Sequence, residues 1–388
     1  MERIYRLCLT WVLACFVSIC GTIWANGEEV DVKTEIELHA QSAVLVDGET
    51  GRILYGKNEN FKLAMASTTK IMTCLVALEN SKMDDIVVFS DYAASMPDVQ
   101  LDAVSGEAFY MEDLLYALML ESHNDVAVAI AEHVGGTEEK FAQMMNDRAY
   151  KLGCKDTHFV TANGLDAEEH YTTAVDLAKI TLEALKNDSF CKIIQSLNYV
   201  FTNVEQTKTY SLNNKNAFLN MMDGAYGVKT GYTNNAGYCF VGAVDVQNTN
   251  LIAVVLGSGW PPNKEWKWTD TLNLINYGLA NYSCKKIGKE GMDVGELWIE
   301  NGEETVVKLR ADTQCLNVLL RNTDYVTIDI VKELKRNAPL NSDEIVGWVY
   351  YRINNQTVKK YPIYPMASVE GKSYRDCVKN ISRKWVQF

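Results

Sequence analysis

Three short polar groups carry the chemistry open to this sequence. Ser67 and Lys70 stand at i, i+3 spacing, which puts a hydroxyl and an amine on one face of a helix. Ile71, Met72, Cys74, Leu75, Val76 and Leu78 follow almost without a break. The stretch Ala66–Asn80 therefore predicts a helix that is apolar nearly all round and belongs in a core. A hydroxyl beside an amine at the mouth of a buried helix suits acyl transfer. Ser122, His123 and Asn124 interrupt a second apolar pattern, and Lys229, Thr230 and Gly231 lie in a β-rich run. Taken alone, Ser-x-x-Lys is usually a helix cap followed by a solvated lysine, so the other two groups must decide.

The elements that position these groups are readable. Ser42–Asp47 and Arg52–Tyr55 predict a hairpin around Gly48-Glu49-Thr50-Gly51. Met111–Leu120 predicts a helix with Glu112 and Asp113 in its first turn, where the helix dipole favours acids. The residues 121–125 break it, and Val126–Val134 resumes until Gly135-Gly136. Helices are expected over Thr137–Leu152 and Thr173–Leu185, with a loop at Thr157–Tyr171 between them. From Gly224 the period changes to two. Tyr226–Thr233, Gly237–Val244 and Leu251–Gly257 predict an antiparallel meander that also pairs with the first strand, covered by a helix over Thr269–Tyr282. Past Cys284 there are only short strands, with Asn301-Gly302 as a hairpin turn. The expected fold class is α+β: an antiparallel sheet flanked by helices over 26–283, then a small all-β domain over 284–366.

Composition narrows the partners. Apolar content of 47% and charged content of 22% are ordinary for a globular protein. A net charge of −13 with no basic stripe in the body of the chain argues against nucleic acid. The ten cysteines show no Cys-x-x-Cys and no metal spacing, so neither a disulfide framework, a metal site nor a cofactor is expected. Arg3 and Arg6 precede an uncharged run from Leu7 to Trp24, and Ala25 offers a cleavage point. Residues 1–25 thus predict a cleaved export signal, with an uncleaved anchor as the alternative. At the other end, 367–388, Tyr374, Cys377, Val378, Ile381, Trp385 and Phe388 fall on one helical stripe, with basic residues opposite and a local net charge of +3. This predicts an amphipathic helix on the outer face of the cytoplasmic membrane. Packing of that helix on the β-domain is the alternative.

Ser-x-x-Lys, Ser-x-Asn and Lys-Thr-Gly, in that order on helix, break and strand, form the set found in serine β-lactamases and penicillin-binding proteins. Together with the blocks GLDAEEHYTTAVDLAKI and GVKTGYTNNAGYCFVGAV, they make the chain resemble the D-alanyl-D-alanine carboxypeptidases. These are the low-molecular-weight penicillin-binding proteins of serine peptidase family S11, and the resemblance covers nearly the whole length. It implies that Ser67 attacks the penultimate D-alanine carbonyl of a peptidoglycan stem peptide and that Lys70 acts as base. Ser122 would relay protons, and Asn124 would hold Lys70 or the substrate. Lys229 and Thr230 would bind the terminal carboxylate, Gly231 would permit close approach, and the amides of Ser67 and Tyr232 would form the oxyanion hole. β-Lactam antibiotics would acylate the same serine.

The sequence also departs from that pattern. His123, Asn163, Tyr232 and Lys267-Trp268 stand where the family often has Gly, His, His and Arg-Phe. The Lys267 position puts a carboxylate contact there in question. His123 reads as structural, and a supporting role for His170 is left open. A class A β-lactamase would need a Glu-x-x-x-Asn pattern, which the Thr157–Tyr171 loop lacks despite Glu168 and Glu169. A non-catalytic binding protein would be expected to have lost Ser67 or Lys70. A transpeptidase activity remains open.

Overall fold

The computed structural model describes residues 36–373, with Val378 and Ser382 beyond them. The expected signal at 1–25 and most of the apolar stripe of 374–388 lie outside the described residues.

The first core is built on a five-stranded antiparallel sheet. Its strands are β1 (Ser42–Asp47), β2 (Ile53–Lys57), β3 (Ala225–Thr233), β4 (Gly237–Val246) and β5 (Thr249–Leu256), in the order β2-β1-β5-β4-β3. The meander therefore closes on the first strand, with Ala43 opposite Val255. Every residue of β1 is buried, because helices cover both faces of the sheet. On one side lies the Ser67 helix, which begins as a 3-10 turn at Ala66–Thr69 and continues as α1, Lys70–Asn80. Lys70 through Ala77 are all buried, as the all-round apolar pattern requires.

Around α1 pack α2 (Met111–Leu120), α3 (Asn124–Gly135), α4 (Glu138–Lys151) and α5 (Ala174–Ala184). Gly136, at φ 78°, ends α3 in the left-handed conformation that glycine adopts without a Cβ penalty. Thr137 caps α4 by accepting from the Lys140 amide. Features that were not anticipated include α6 (Asp188–Gln195) and the hairpin pairing Asn198–Thr202 with Thr209–Asn213. Their apolar faces are short, resting on Phe190, Ile193 and Ile194 in the helix and on Phe201, Tyr210 and Leu212 in the hairpin. The helix α7, Trp266–Asn281, covers the opposite face of the sheet.

The downstream region is all-β. Strands β6 (Met292–Glu300), β7 (Val306–Ala311), β8 (Val326–Lys332), β9 (Lys335–Asn337), β10 (Gly347–Ile353) and β11 (Gln356–Pro365) form one sheet in the order β8-β10-β11-β7-β6-β9. Leu297, Leu309, Val349, Tyr351 and Ile363 centre its own core. The first residues of the expected terminal helix belong to this region instead. Val369 is buried in its core, and Gly371 pairs with Gly302. Extended chain thus runs past residue 367, because burying Val369 satisfies the core better than a helix start would.

The two cores meet across a polar clamp. Arg52, just before β2, pairs with Asp324 at 3.0 Å, with side chains 7% and 6% exposed, and donates to the Leu319 carbonyl. Asp47 accepts from the Leu319 amide at 3.1 Å. Arg321 lies over the Tyr282 ring, 4.6 Å from its centroid.

Candidate active site

The site forms where the start of α1, the break between α2 and α3, the 157–171 loop and the edge strand β3 converge. Lys70 is fully buried and its Nζ lies 3.0 Å from Ser67 Oγ, 2.8 Å from Asn124 Oδ1 and 2.5 Å from the Asn163 carbonyl oxygen. Asn124 is held with its oxygen toward the lysine, because its Nδ2 donates to the carbonyls of Pro97 and Asp98 at 3.1 and 3.0 Å. Burial first, then the charge of Lys229, pushes the Lys70 amine well below its ordinary value, and the Asp125 carboxylate opposes this. Asp125 is buried and accepts from the Leu101 and Val126 amides.

Lys229 and Gly231 face this cluster. Lys229 is buried, donates to the Thr230 carbonyl at 3.0 Å, and is pushed down to about 7 by burial. Thr230 and Tyr232 stand opposite Phe240 and Tyr238, on the alternate face of the strand, where Phe240 packs on Trp268. The Tyr232 hydroxyl donates to Asn234 and its side chain is partly exposed. Gly231 also lies close to a neighbour within the protein. A Cβ there would lie 3.0 Å from the amide nitrogens of Ser67 and Thr68, so the close approach it permits is to the Ser67 turn itself.

Ser122 lies in the break with φ 72°, a left-handed conformation, and its buried Oγ makes no hydrogen bond. His123 is buried 3.4 Å from Glu121 and held down to about 4, chiefly by burial. Lys267 does not project freely. Its Nζ donates to the Lys264 carbonyl and lies over the Tyr238 and Trp268 rings, at 4.7 and 4.6 Å.

Sequence reasoning missed Asn163 and Asp125. Asn163 acts through its backbone carbonyl, which no side-chain motif can signal. Asp125 directly follows Asn124 and was readable only as a helix-start acid. The described residues hold no cluster of three His, Cys, Asp or Glu able to bind a metal.

This hydroxyl–amine pair, sealed between a buried helix and an edge strand, has clear parallels. The profile of the D-alanyl-D-alanine carboxypeptidase family matches residues 28–259. The D-alanyl-D-alanine carboxypeptidase DacF of Bacillus subtilis is 30% identical over 92% of this chain and 92% of its own length. The structure of penicillin-binding protein 5 from Haemophilus influenzae superposes with a TM-score of 0.72 at 26% identity, covering 87% of this chain and 99% of that one. The Streptomyces K15 DD-transpeptidase gives 0.60 at 31% identity, over 63% and 99%. The chain belongs to the D-alanyl-D-alanine carboxypeptidase family, peptidase family S11, and is a serine-type peptidase.

Proposed function

We propose that the protein removes the terminal D-alanine from peptidoglycan stem peptides through an acyl-enzyme on Ser67. The observation that carries this reading is the surroundings of Lys70 Nζ. Asn163 O can only accept, and Asn124 presents its accepting oxygen. A neutral amine that gives its two protons to these acceptors turns its lone pair toward Ser67 Oγ, 3.0 Å away. Ser67 then loses its proton to Lys70 as Oγ bonds the carbonyl carbon of the penultimate residue. Collapse of the tetrahedral adduct breaks the amide, and the departing amine takes a proton from Lys70 by way of Ser122. Water hydrolyses the ester in the reverse sense. The amides of Ser67 and Tyr232 would hold the oxyanion, a contribution of roughly 3–4 kcal/mol. Lys229 would bind the terminal carboxylate. Penicillins offer the same carboxylate and an acylating amide, so they would acylate Ser67 as well.

In the cell this reaction would trim donors that could otherwise be cross-linked. The export signal at 1–25 and the basic amphipathic segment from 374 on support action outside the cytoplasmic membrane, with the C-terminal segment on its surface. The test is to incubate wild-type protein and Ser67→Ala with a fluorescent penicillin and with a D-Ala-D-Ala peptide. Wild type should be labelled and release D-alanine. Labelling of the alanine variant would overturn the assignment of the nucleophile.

A further inference from the structure

We propose that His170 is a positioning residue for acylation, holding the Ser67 turn from behind through Thr69. This rests on Ser67 and Lys70 being the reacting pair. His170 is buried, and its two ring nitrogens have assignable roles. The Val160 amide donates to Nδ1 at 3.0 Å, so Nδ1 carries no proton and Nε2 does. Nε2 therefore donates to Thr69 Oγ1 at 2.9 Å, and Thr69 passes its own proton to the Ala66 carbonyl at 2.8 Å. The chain runs one way, from the loop amide through the imidazole to the residue preceding the nucleophile.

Ala66 needs such support. Its φ of 48° is left-handed, a conformation that costs a non-glycine residue about 1–3 kcal/mol and persists only where neighbours impose it. Gly164 presses on the same carbonyl so closely that a Cβ there would collide with the Ala66 oxygen. Three contacts stitch the 157–171 loop to one face of the Ser67 helix: His170 with Thr69, the Asn163 carbonyl with Lys70, and the Ala162 carbonyl with Thr73 Oγ1 at 2.6 Å. At the loop's other side Thr233 on β3 donates to Asp166 at 2.8 Å. Cutting the His170 link frees one end of the segment that aims the Lys70 lone pair.

His170 stays neutral across the working pH range, pushed down to about 4 by burial and then by His158, so the direction of its hydrogen bonds is constant. The charged and titratable groups acting on Lys70 are Lys229, Asp125 and His123, and none of them is altered by a change at His170. Loosening the loop would hydrate Lys70, raise its pKa and move the acid limb of acylation to higher pH. Loss of global stability alone would not do this.

The experiment measures stopped-flow acylation of the exported form by a fluorescent penicillin across pH, with thermal unfolding in parallel. His170→Phe should acylate roughly 10²-fold more slowly, the scale for a misplaced reacting group, with its acid limb shifted upward. His170→Gln, which keeps one donor and one acceptor, should recover most of that loss. Thr69→Val cuts the same chain without touching the histidine, so it should lose as much, and the double variant should lose no more than either single one. Rates within threefold of wild type and an unmoved limb in Thr69→Val would overturn the proposal. So would His170→Gln acylating no faster than His170→Phe. Ser67→Ala in the same assay separates the two readings: labelling there would sink the nucleophile assignment itself, whatever His170 does.

Discussion

Gly231 lies directly over Ser67: a methyl group on that glycine would sit 3.0 Å from the serine amide nitrogen and 3.1 Å from the Ala66 Cβ. The strand and the nucleophile turn are therefore in backbone contact. Gly231→Ala should push them apart, costing about 1–3 kcal/mol in stability as overpacking does. The Ser67–Lys70 geometry would move with the turn, so acylation should fall roughly 10²-fold. Denaturant unfolding and penicillin acylation rates measured on one preparation check both effects, and a variant acylating at the wild-type rate would show the contact to be slack.

Ser122 offers a case where activity and stability separate. Its buried hydroxyl makes no hydrogen bond to another protein group. Removing it deletes a desolvated group and breaks no bond, so Ser122→Ala should leave stability unchanged or raise it by up to about 1 kcal/mol. If the hydroxyl relays protons to the leaving amine, release of D-alanine should drop roughly 10²–10⁴-fold. Thermal melts and steady-state hydrolysis of a D-Ala-D-Ala peptide decide it.

Lys229 ties pH to both binding and stability. Burial takes its amine from 10.5 down to about 7. The unfolded chain thus binds more protons between those values, and stability should rise with pH across that window. Below about 7 both states are protonated and the folded protein bears the full burial cost; above 10.5 neither state is charged and the cost is gone. Lys229→Met should accordingly raise the melting temperature at pH 6, by roughly 2–4 °C for each kcal/mol recovered, with the gain shrinking toward pH 10. Since the cation is the form that pairs with a substrate carboxylate, KM of the wild type should climb as pH rises above about 7. A flat KM between pH 6 and 9 would separate Lys229 from carboxylate binding.

A truncation after Ser373 tests the role of the C-terminal segment. Val369 is buried in the second core, Gly371 pairs with Gly302, and the Lys372 amide donates to the Asn301 carbonyl, and a cut after Ser373 keeps all three residues. The truncated protein should appear in the soluble fraction with peptide hydrolysis intact. If it still sediments with membranes, attachment resides at the other end of the chain.

Much of this architecture was legible because burial imposes a period. The Ser67 helix, the meander and the first hairpin each declare themselves in the spacing of apolar residues and turn formers, whereas the expected two-residue turn at Asn301-Gly302 does not form: the Ile299 amide donates to the Thr305 carbonyl across a longer loop, and Gly302 pairs with Gly371. So did the three polar groups, since Ser67, Lys70, Asn124 and Lys229 act through side chains whose types limit their chemistry. What stayed hidden acts through backbone or across distance. The Asn163 carbonyl that orients Lys70 would be the same oxygen on any residue, and the turn that Gly231 lies against is over 160 positions away. The hairpin at 198–213 is a small amphipathic unit, recognisable only once Phe201 and Tyr210 find Phe109 to pack on.

The Arg52–Asp324 clamp has a calorimetric consequence. Each sheet has its own core, yet the joint between them is a nearly dry ion pair flanked by the Asp47–Leu319 bond. Melting either part alone would strand an unpaired charge on the other, and breaking such a buried pair costs about 3–5 kcal/mol. The two parts should therefore give a single endotherm, with equal calorimetric and van't Hoff enthalpies. Arg52→Met should split it into two. Acid should loosen the wild-type joint as well, because the Asp324 carboxyl is held below its usual value and its contribution fades as pH falls through that lowered value.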